Sequence, residues 1–505
     1  MTMGTPTVTF SVLLLTISLV YVPSIWRTFL HNRKLRSIPA VGPSGTLTSY
    51  IGAIRFLRHS QEMVQEGYDK YHGSVFKIPT LTSWFVVASG GDLIDEFRRT
   101  PDEVLSAPEA SRLLFYSDIT IGPEHIEDPI HAEIAKGPLT KNIGARFDDV
   151  RDEIVTAFDD YIPATESEWT RVTAYSTIMD IVCRASNRMF VGLPLCRDPD
   201  WMELNKALAL NLIKGFIILS CFPAWLRPVI APLLRSIPNG IKRGAQHLEP
   251  LIRERFEQQA EHGKDWPERP NDIMSWLIDV TKDRQRNMRD LVNAVLLTNF
   301  ASIHTTTMSF TYIMYELATR PEYAEPLRDE IEAVIKEDGW SKDSVSKLWK
   351  MDGFIKECLR LSNFNLFTMM RTAMRDITLP DGTTIPAGST VVVPFNPVHT
   401  DANDYTDPSV FDGFRFEKRR EQAGEDTKHQ LVSLGTDYVL FGLGRHACPG
   451  RFFAANELKV MLAHVVMNYD VKMADGKGRP ENWQFGIHRA PDTTAQMLFR
   501  KRRAP

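Results

Sequence analysis

The chain is poor in cysteine, with only Cys183, Cys196, Cys221, Cys358 and Cys448 among 505 residues. The number is odd and the spacings are wide, which excludes a disulfide framework and a zinc-ligand pattern. A reduced, cytosol-facing compartment follows, in which any special cysteine acts alone. A charge excess of either sign is also missing. The formal net charge of −4 gives no general attraction to nucleic acid, which is not an expected partner. Beyond the N-terminal region there is no low-complexity segment, no internal repeat and no flavin or nicotinamide fingerprint. Hydrophobic residues at 43% and charged residues at 24% lie near globular averages, so a disordered or fibrous chain is excluded.

The N-terminus departs from these averages. From Thr7 to Trp26 the chain reads TVTFSVLLLTISLVYVPSIW, about 20 uncharged residues, enough to cross about 30 Å of hydrocarbon as a helix. Arg27, Arg33, Lys34 and Arg36 follow this run and no charged side chain precedes it. By the positive-inside bias everything after it stays cytoplasmic. A cleaved signal peptide would have a basic start and small residues at the cut site, and both are missing. Residues 1–36 are therefore expected to be a single-pass anchor and its basic flank. The stretch Ser37-Ile-Pro-Ala-Val-Gly-Pro43 cannot continue a helix and reads as a stiff linker. No second linker follows, so residues 37–505 are expected to form one large catalytic domain.

Within that domain the pattern is mainly α with a minor β region. Short β-like runs occur at 74–78 and 84–88, bounded by Gly and Pro. Helical periodicity dominates from about 148 to 360. Strand patterns return at 377–380, at the Asp381-Gly382 turn and at 390–394. A final amphipathic helix is expected over Phe452–Asn468. Residues 212–234 are unusually apolar, but Lys214, Arg227 and three prolines exclude a second span. They read either as buried core or as a surface element dipping into a bilayer.

The segment carrying most chemical information is Phe441-Gly-Leu-Gly-Arg-His-Ala-Cys-Pro-Gly450. Gly442 and Gly444 permit a tight turn that brings backbone N–H groups round a sulfur. Pro449 and Gly450 lead into the last helix, so Cys448 stands at a helix N-terminus, where the macrodipole favours an anion. Phe441 can shield the sulfur from water. A lone cysteine is ordinarily an inert, buried apolar residue. Here the spacing weighs against that, since Phe-x-x-Gly-x-x-x-Cys-x-Gly arises by chance on the order of once in a thousand such chains.

This decapeptide resembles the haem-binding loop of the cytochrome P-450 haem-thiolate monooxygenases. The resemblance implies haem b (iron-protoporphyrin IX) as cofactor, Cys448 as its axial iron ligand, and Phe441, Gly444, His446 and Gly450 as haem-loop residues. It places His446 on a haem propionate. A second shared element is Glu357-Cys-Leu-Arg360. By itself Glu-x-x-Arg carries little, because it also occurs at Glu96/Arg99, Glu168/Arg171, Glu325/Arg328 and Glu417/Arg420, and its ordinary meaning is a surface i,i+3 pair. Position singles out Glu357, and the family's buried ion triad maps onto Glu357, Arg360 and Arg415. Buried charges of this kind must be paired.

A third element is Asn299-Phe-Ala-Ser-Ile-His-Thr-Thr-Thr307, in which Thr298, Ala301 and Thr305 share a helical face. Alone this would equally be a core helix with a polar stripe. In the family the helix passes over the distal side of the haem, with a small residue (Ala301) leaving room for O2 and a threonine (Thr305) relaying protons. The family's usual acid before the threonine is His304 here, and a near-neutral imidazole can also shuttle protons. Arg371 matches a second propionate partner, although the proline common in its stretch is replaced by Ser362-Asn-Phe-Asn-Leu-Phe367. The family's Trp-x-x-x-Arg is absent; Arg146 and Lys141 are the available substitutes, with surface roles the better reading for both.

The resemblance covers essentially the whole chain and lies closest to the fungal secondary-metabolism branch that includes ent-kaurene oxidases. It implies a monooxygenase in the endoplasmic reticulum membrane with its catalytic domain facing the cytosol. The implied partners are O2, a lipophilic small-molecule substrate such as a terpenoid, and an NADPH-dependent cytochrome reductase supplying electrons. Arg445, Arg451, Lys418, Arg419 and Arg420 are candidates for a basic docking face; a solvated charged surface is the alternative for the last three. Two other functions remain open at this point. One is a haem-thiolate isomerase or dehydratase working without a reductase, and the other is a non-enzymatic haem-binding membrane protein.

Overall fold

The structure, a computed structural model, describes residues 30–503 apart from 46, 123, 264–265, 282–286 and 363. The uncharged run at 7–26 lies outside the described residues. Among the described residues no helix is long and apolar enough to cross a membrane. The fold is mainly helical with small sheets, and the chain divides into two compact units.

One unit gathers residues up to 120, 214–235 and 369–394. It carries a sheet ordered Val75–Pro79, Trp84–Ala88, Thr390–Pro394, Phe367–Ala373 and Leu105–Ser106. The first two strands form an antiparallel hairpin with Val75 opposite Ala88, and the second runs parallel to the third with Phe85 opposite Thr390. Two strands have the bounds expected from sequence, and the first is displaced by one residue. Every residue of Val75–Pro79 is buried, which is why its sequence shows no polar alternation. Even Lys77 is inside; its ammonium donates to the Leu35 carbonyl and lies 5.0 Å over the Trp84 ring. Burial lowers its pKa to about 8.

The neighbouring helix, Ser60–Lys70, closes on this strand through Gly67, where a Cβ would stand 2.1 Å from the Phe76 ring. Only glycine allows that approach. The expected strand at 377–380 is shorter, Ile377–Thr378, because the chain turns early: Gly382 has φ +83°, and Asp381 accepts a 2.8 Å hydrogen bond from Thr383 N–H. The apolar stretch 212–234 divides between its two readings. Leu212, Phe216 and Leu219 are buried, whereas Ile218, Trp225, Val229 and Leu233 are exposed.

The other unit holds 121–213, 236–368 and 395–505. Its spine is the helix Met288–Thr319, 32 residues long, hence about 48 Å. The Asn287 side chain caps its start by accepting from Asp290 N–H at 3.0 Å. The helix is apolar on most sides because it runs through the core; Ile303, Met308 and Tyr312 pack there against Tyr175, Met179 and Cys183 of the helix Ala174–Phe190. Helices Trp349–Leu361 and Arg451–Asn468 complete the frame that positions the site. The latter begins one residue before its expected start.

Candidate functional site

The Cys448 loop is built by its glycines. Gly442 and Gly444 take φ +65° and +69°, a region closed to residues with a Cβ except at a cost. The chain can then fold back so that Gly442 N–H donates to Val439 O at 3.0 Å and Cys448 N–H donates to Phe441 O at 2.7 Å. Gly444–His446 forms a short 3-10 turn, and Gly450 is the N-cap of the helix Arg451–Asn468. The Cys448 sulfur therefore stands at that helix's N-terminus.

Burial pushes the Cys448 thiol up, while the N–H groups of Gly450 and Arg451 and the Arg451 charge favour the thiolate. The Arg451 guanidinium also donates to Cys448 O at 3.0 Å. Among the other cysteines, Cys183 and Cys358 lie in mid-helix, and Cys196 lies in a 3-10 turn. Burial raises Cys183 to about 12, Cys196 to about 11 and Cys358 well above its ordinary value. The donor set at Cys448 alone combines a helix start, two N–H groups and a cation, and it fits a haem-iron thiolate.

Behind this loop the structure brings Glu357, Arg360 and Arg415 together. Arg360 forks onto Glu357 at 2.7 and 2.8 Å, and Arg415 Nε reaches the same carboxylate at 3.3 Å. Glu357 also accepts from Asp412 N–H at 3.0 Å. The remaining guanidinium donors meet backbone oxygens: Arg360 at His399 and Pro408, both 2.6 Å, and Arg415 at Thr406 and Val410, 2.6 and 2.9 Å. Glu357 and Arg360 are fully buried. One carboxylate thus serves two cations and ties the helix Trp349–Leu361 to the segment 406–415.

The basic residues suggested for a docking face divide. Arg445 is exposed, and Lys418 pairs with Asp412 at 2.8 Å on the surface. Arg420 does not belong with them: it is buried, stacked 4.1 Å over Trp349, with its Nε donating to Asp426 O. Arg146 is tied into the helices by Asp149 at 2.8 Å and Arg188 O at 3.1 Å, while Lys141 is exposed. Arg371 lies buried on the strand Phe367–Ala373 and donates to Met370 O at 2.8 Å. His446 is exposed and Phe441 half-buried.

On the spine helix, Ala301 is exposed and Thr305 partly so, in the middle of a mostly buried element. Thr305 donates to Ala301 O at 2.7 Å. Thr298 does not share this open stripe; it is buried and donates to Ala294 O at 2.8 Å. His304 turns instead toward Tyr175, whose hydroxyl is 3.5 Å from Nδ1. Burial, with His488 nearby, lowers His304 to about 4, so it is a neutral imidazole at physiological pH and can pass a proton only by giving and taking one in turn.

Of the buried polar groups that escaped the sequence reading, two lie on elements that build the site. His399 is one; its partners are backbone groups. Glu457, on the helix Arg451–Asn468, is the other. It is completely buried, accepts from the Ser186 hydroxyl at 2.9 Å, and burial raises it to about 8 from 4.5. The Thr306 hydroxyl approaches the same carboxyl without closing a hydrogen bond. A raised carboxyl means that the folded chain holds a proton which the unfolded chain releases. Below pH 4.5 both states are protonated, and between 4.5 and about 8 each pH unit destabilises the fold by about 1.4 kcal/mol. Glu457→Gln, which keeps an acceptor for Ser186, is therefore expected to raise the apparent Tm more at pH 8 than at pH 5. Thermal unfolding at one scan rate checks this, and an equal shift at both pH values contradicts it.

Comparison with known proteins agrees with this geometry. The family model described as Cytochrome P450 matches residues 43–495. "Cytochrome P450 monooxygenase 103" of Postia placenta is 42% identical over 490 residues, covering 97% of this chain and 98% of the relative. "Cytochrome P450 monooxygenase paxQ" of Penicillium paxilli is 33% identical, covering 97% of each. A solved structure, "Retinoic acid bound cyanobacterial CYP120A1", shares the fold with a TM-score of 0.68 at 17% identity, over 89% of this chain and 96% of that one. A cysteine at the mouth of the last long helix, a fork-braced glutamate behind it and this family match together give one conclusion: the chain belongs to the cytochrome P450 family, whose members bind haem b through a cysteine thiolate.

Proposed function

We propose that the protein is a haem-thiolate monooxygenase that oxidises a lipophilic secondary metabolite of terpenoid type, with electrons from NADPH delivered by a membrane-bound reductase. The observation that carries this reading is the Cys448 sulfur, set at a helix start among donors that favour its anion. Bound haem supplies O2 activation and the oxidation itself. The chain's own residues bind, orient and exclude water. Cys448 is the iron ligand; Gly442 and Gly444 shape the turn around it, and the Glu357–Arg360–Arg415 cluster braces the structure behind it. His446 and Arg371 are assigned to the propionates. Ala301 leaves room beside the distal helix, and Thr305, with its hydroxyl on the same open stripe, relays protons. His304, held neutral beside Tyr175, takes the place of an acid as a two-way relay.

The same reading places the protein on the cytosolic face of the endoplasmic reticulum membrane, anchored through residues 1–36. Its support is the uncharged run 7–26. Leu47, Tyr50, Ile51 and Ile54 are also exposed in the unit that follows the anchor, with Trp225, Val229 and Leu233 exposed in the same unit. Aromatic and aliphatic side chains left in water in this way suit an interfacial position.

Turnover in the presence and absence of the NADPH–reductase system tests the function. Product, with one oxygen atom from O2, is expected only when electrons are supplied. Product of equal yield without them defeats the monooxygenase reading and favours an isomerase or dehydratase.

A further inference from the structure

His399 ends the short helix Phe395–His399 and is completely buried. Its two ring nitrogens both meet backbone groups: Nδ1 lies 3.1 Å from Arg360 O, and Nε2 lies 2.9 Å from Val439 N–H. A carbonyl can only accept and an amide N–H can only donate, so the tautomer is fixed. Nδ1 carries the proton and gives it to Arg360 O, and the Nε2 lone pair receives Val439 N–H. Burial lowers the imidazole to about 3, which keeps it in this neutral form. Arg360 answers in the other direction, its guanidinium donating to His399 O at 2.6 Å. The ring is further clamped by the Tyr438 phenol, stacked at 4.7 Å with an interplanar angle of 3°, and by Phe395 edge-on at 4.5 Å.

The partners of this one ring belong to two different parts of the site. Arg360 is the centre of the buried ion cluster. Val439 is where the cysteine loop begins, since its carbonyl receives Gly442 N–H, and Phe441 O two residues on receives Cys448 N–H. His399 thus links the ion cluster to the start of the 439–448 turn through a single ring. We propose that His399 is a positioning residue for the iron ligand: its imidazole transmits the fixed position of Arg360 to Val439 and so sets the turn that presents the Cys448 sulfur. This rests on the reading of Cys448 as that ligand.

Two amide substitutions separate the bonds. Glutamine can put its amide oxygen about where Nε2 stands and keep Val439 N–H satisfied. Asparagine reaches only as far as Nδ1 and leaves that N–H without a partner. Each variant is made in the full chain and purified with haem, and two quantities are read: haem per chain, and the share of bound haem whose reduced-CO spectrum shows thiolate ligation. His399→Asn is expected to shift the balance from thiolate to non-thiolate ligation by about fivefold, the size of one buried hydrogen bond, while His399→Gln stays near the parent.

Equal loss in both variants overturns the proposal, because ring packing and not the Val439 bond would then matter. Parental spectra in both overturn it as well. If the asparagine variant does not accumulate, the glutamine variant decides alone: a parental band supports the proposal and a lost band overturns it. A parent protein that itself lacks the thiolate band refutes the assignment of Cys448, an outcome visible before any His399 variant is compared.

Discussion

Cys448→Ala abolishes the reduced-CO absorbance band characteristic of thiolate ligation; complete loss, not attenuation, is the expected result. The reason is local. A methyl group offers no lone pair, and nothing else in the turn can replace the sulfur. The other cysteines lie on helix interiors or in a separate 3-10 turn, with thiols pushed up by burial, or outside the loop. Alanine fits the space that cysteine occupies, and the loop's hydrogen bonds, Gly442 to Val439 and residue 448 to Phe441, are made by the backbone. The variant should therefore fold and the loss should be specific to ligation. A retained thiolate band would remove Cys448 as the ligand.

Glu357→Gln has the second large effect, and it works through stability. The amide keeps the shape of the side chain but removes the one negative charge shared by Arg360, which is fully buried, and Arg415, which is nearly so. A buried ion pair adds little net stability over an apolar substitute, yet taking one partner away is costly, about 3–5 kcal/mol. That is a large share of the margin of about 5–15 kcal/mol available to a folded domain. The expected result is a chain that accumulates poorly and loses haem on gel filtration, with a lowered Tm in whatever folds. Haem content at the parental level would show that the backbone oxygens around Arg360 suffice without the carboxylate.

The parts of the site legible in the sequence were those made by neighbours in the chain. The glycine spacing of 442–450 announced a turn before a helix, and the turn has that form because two positive φ values are needed within three residues. Strands 84–88 and 390–394 were legible from short apolar runs between turn residues. The ion cluster was located only by its place in a family pattern, because four other Glu-x-x-Arg pairs carry the same local signal. Thr298 was misplaced because helical spacing gives a face but not what packs on it.

His399 and Glu457 left no signal. His399 finds its partners 39 and 40 residues away, and both partners are backbone, so no side-chain pairing could betray it. Glu457 reads as an ordinary polar residue on an amphipathic helix; it is enclosed by helices distant in sequence, Ala174–Phe190 with Ser186 and Met288–Thr319 with Thr306. Arg420 was read as surface from its run of cations, but Trp349 covers it.

The placement of the thiols has a practical consequence. Cys183, Cys196 and Cys358 are sealed in the interior and protonated, whereas Cys221 is only half-covered. If the Cys448 sulfur is committed to iron as proposed, a maleimide fluorophore added to the native holoprotein meets a single reachable attachment point at 221. The three concealed sulfurs become chemical witnesses of unfolding, taking up label only as the helices that hide them come apart.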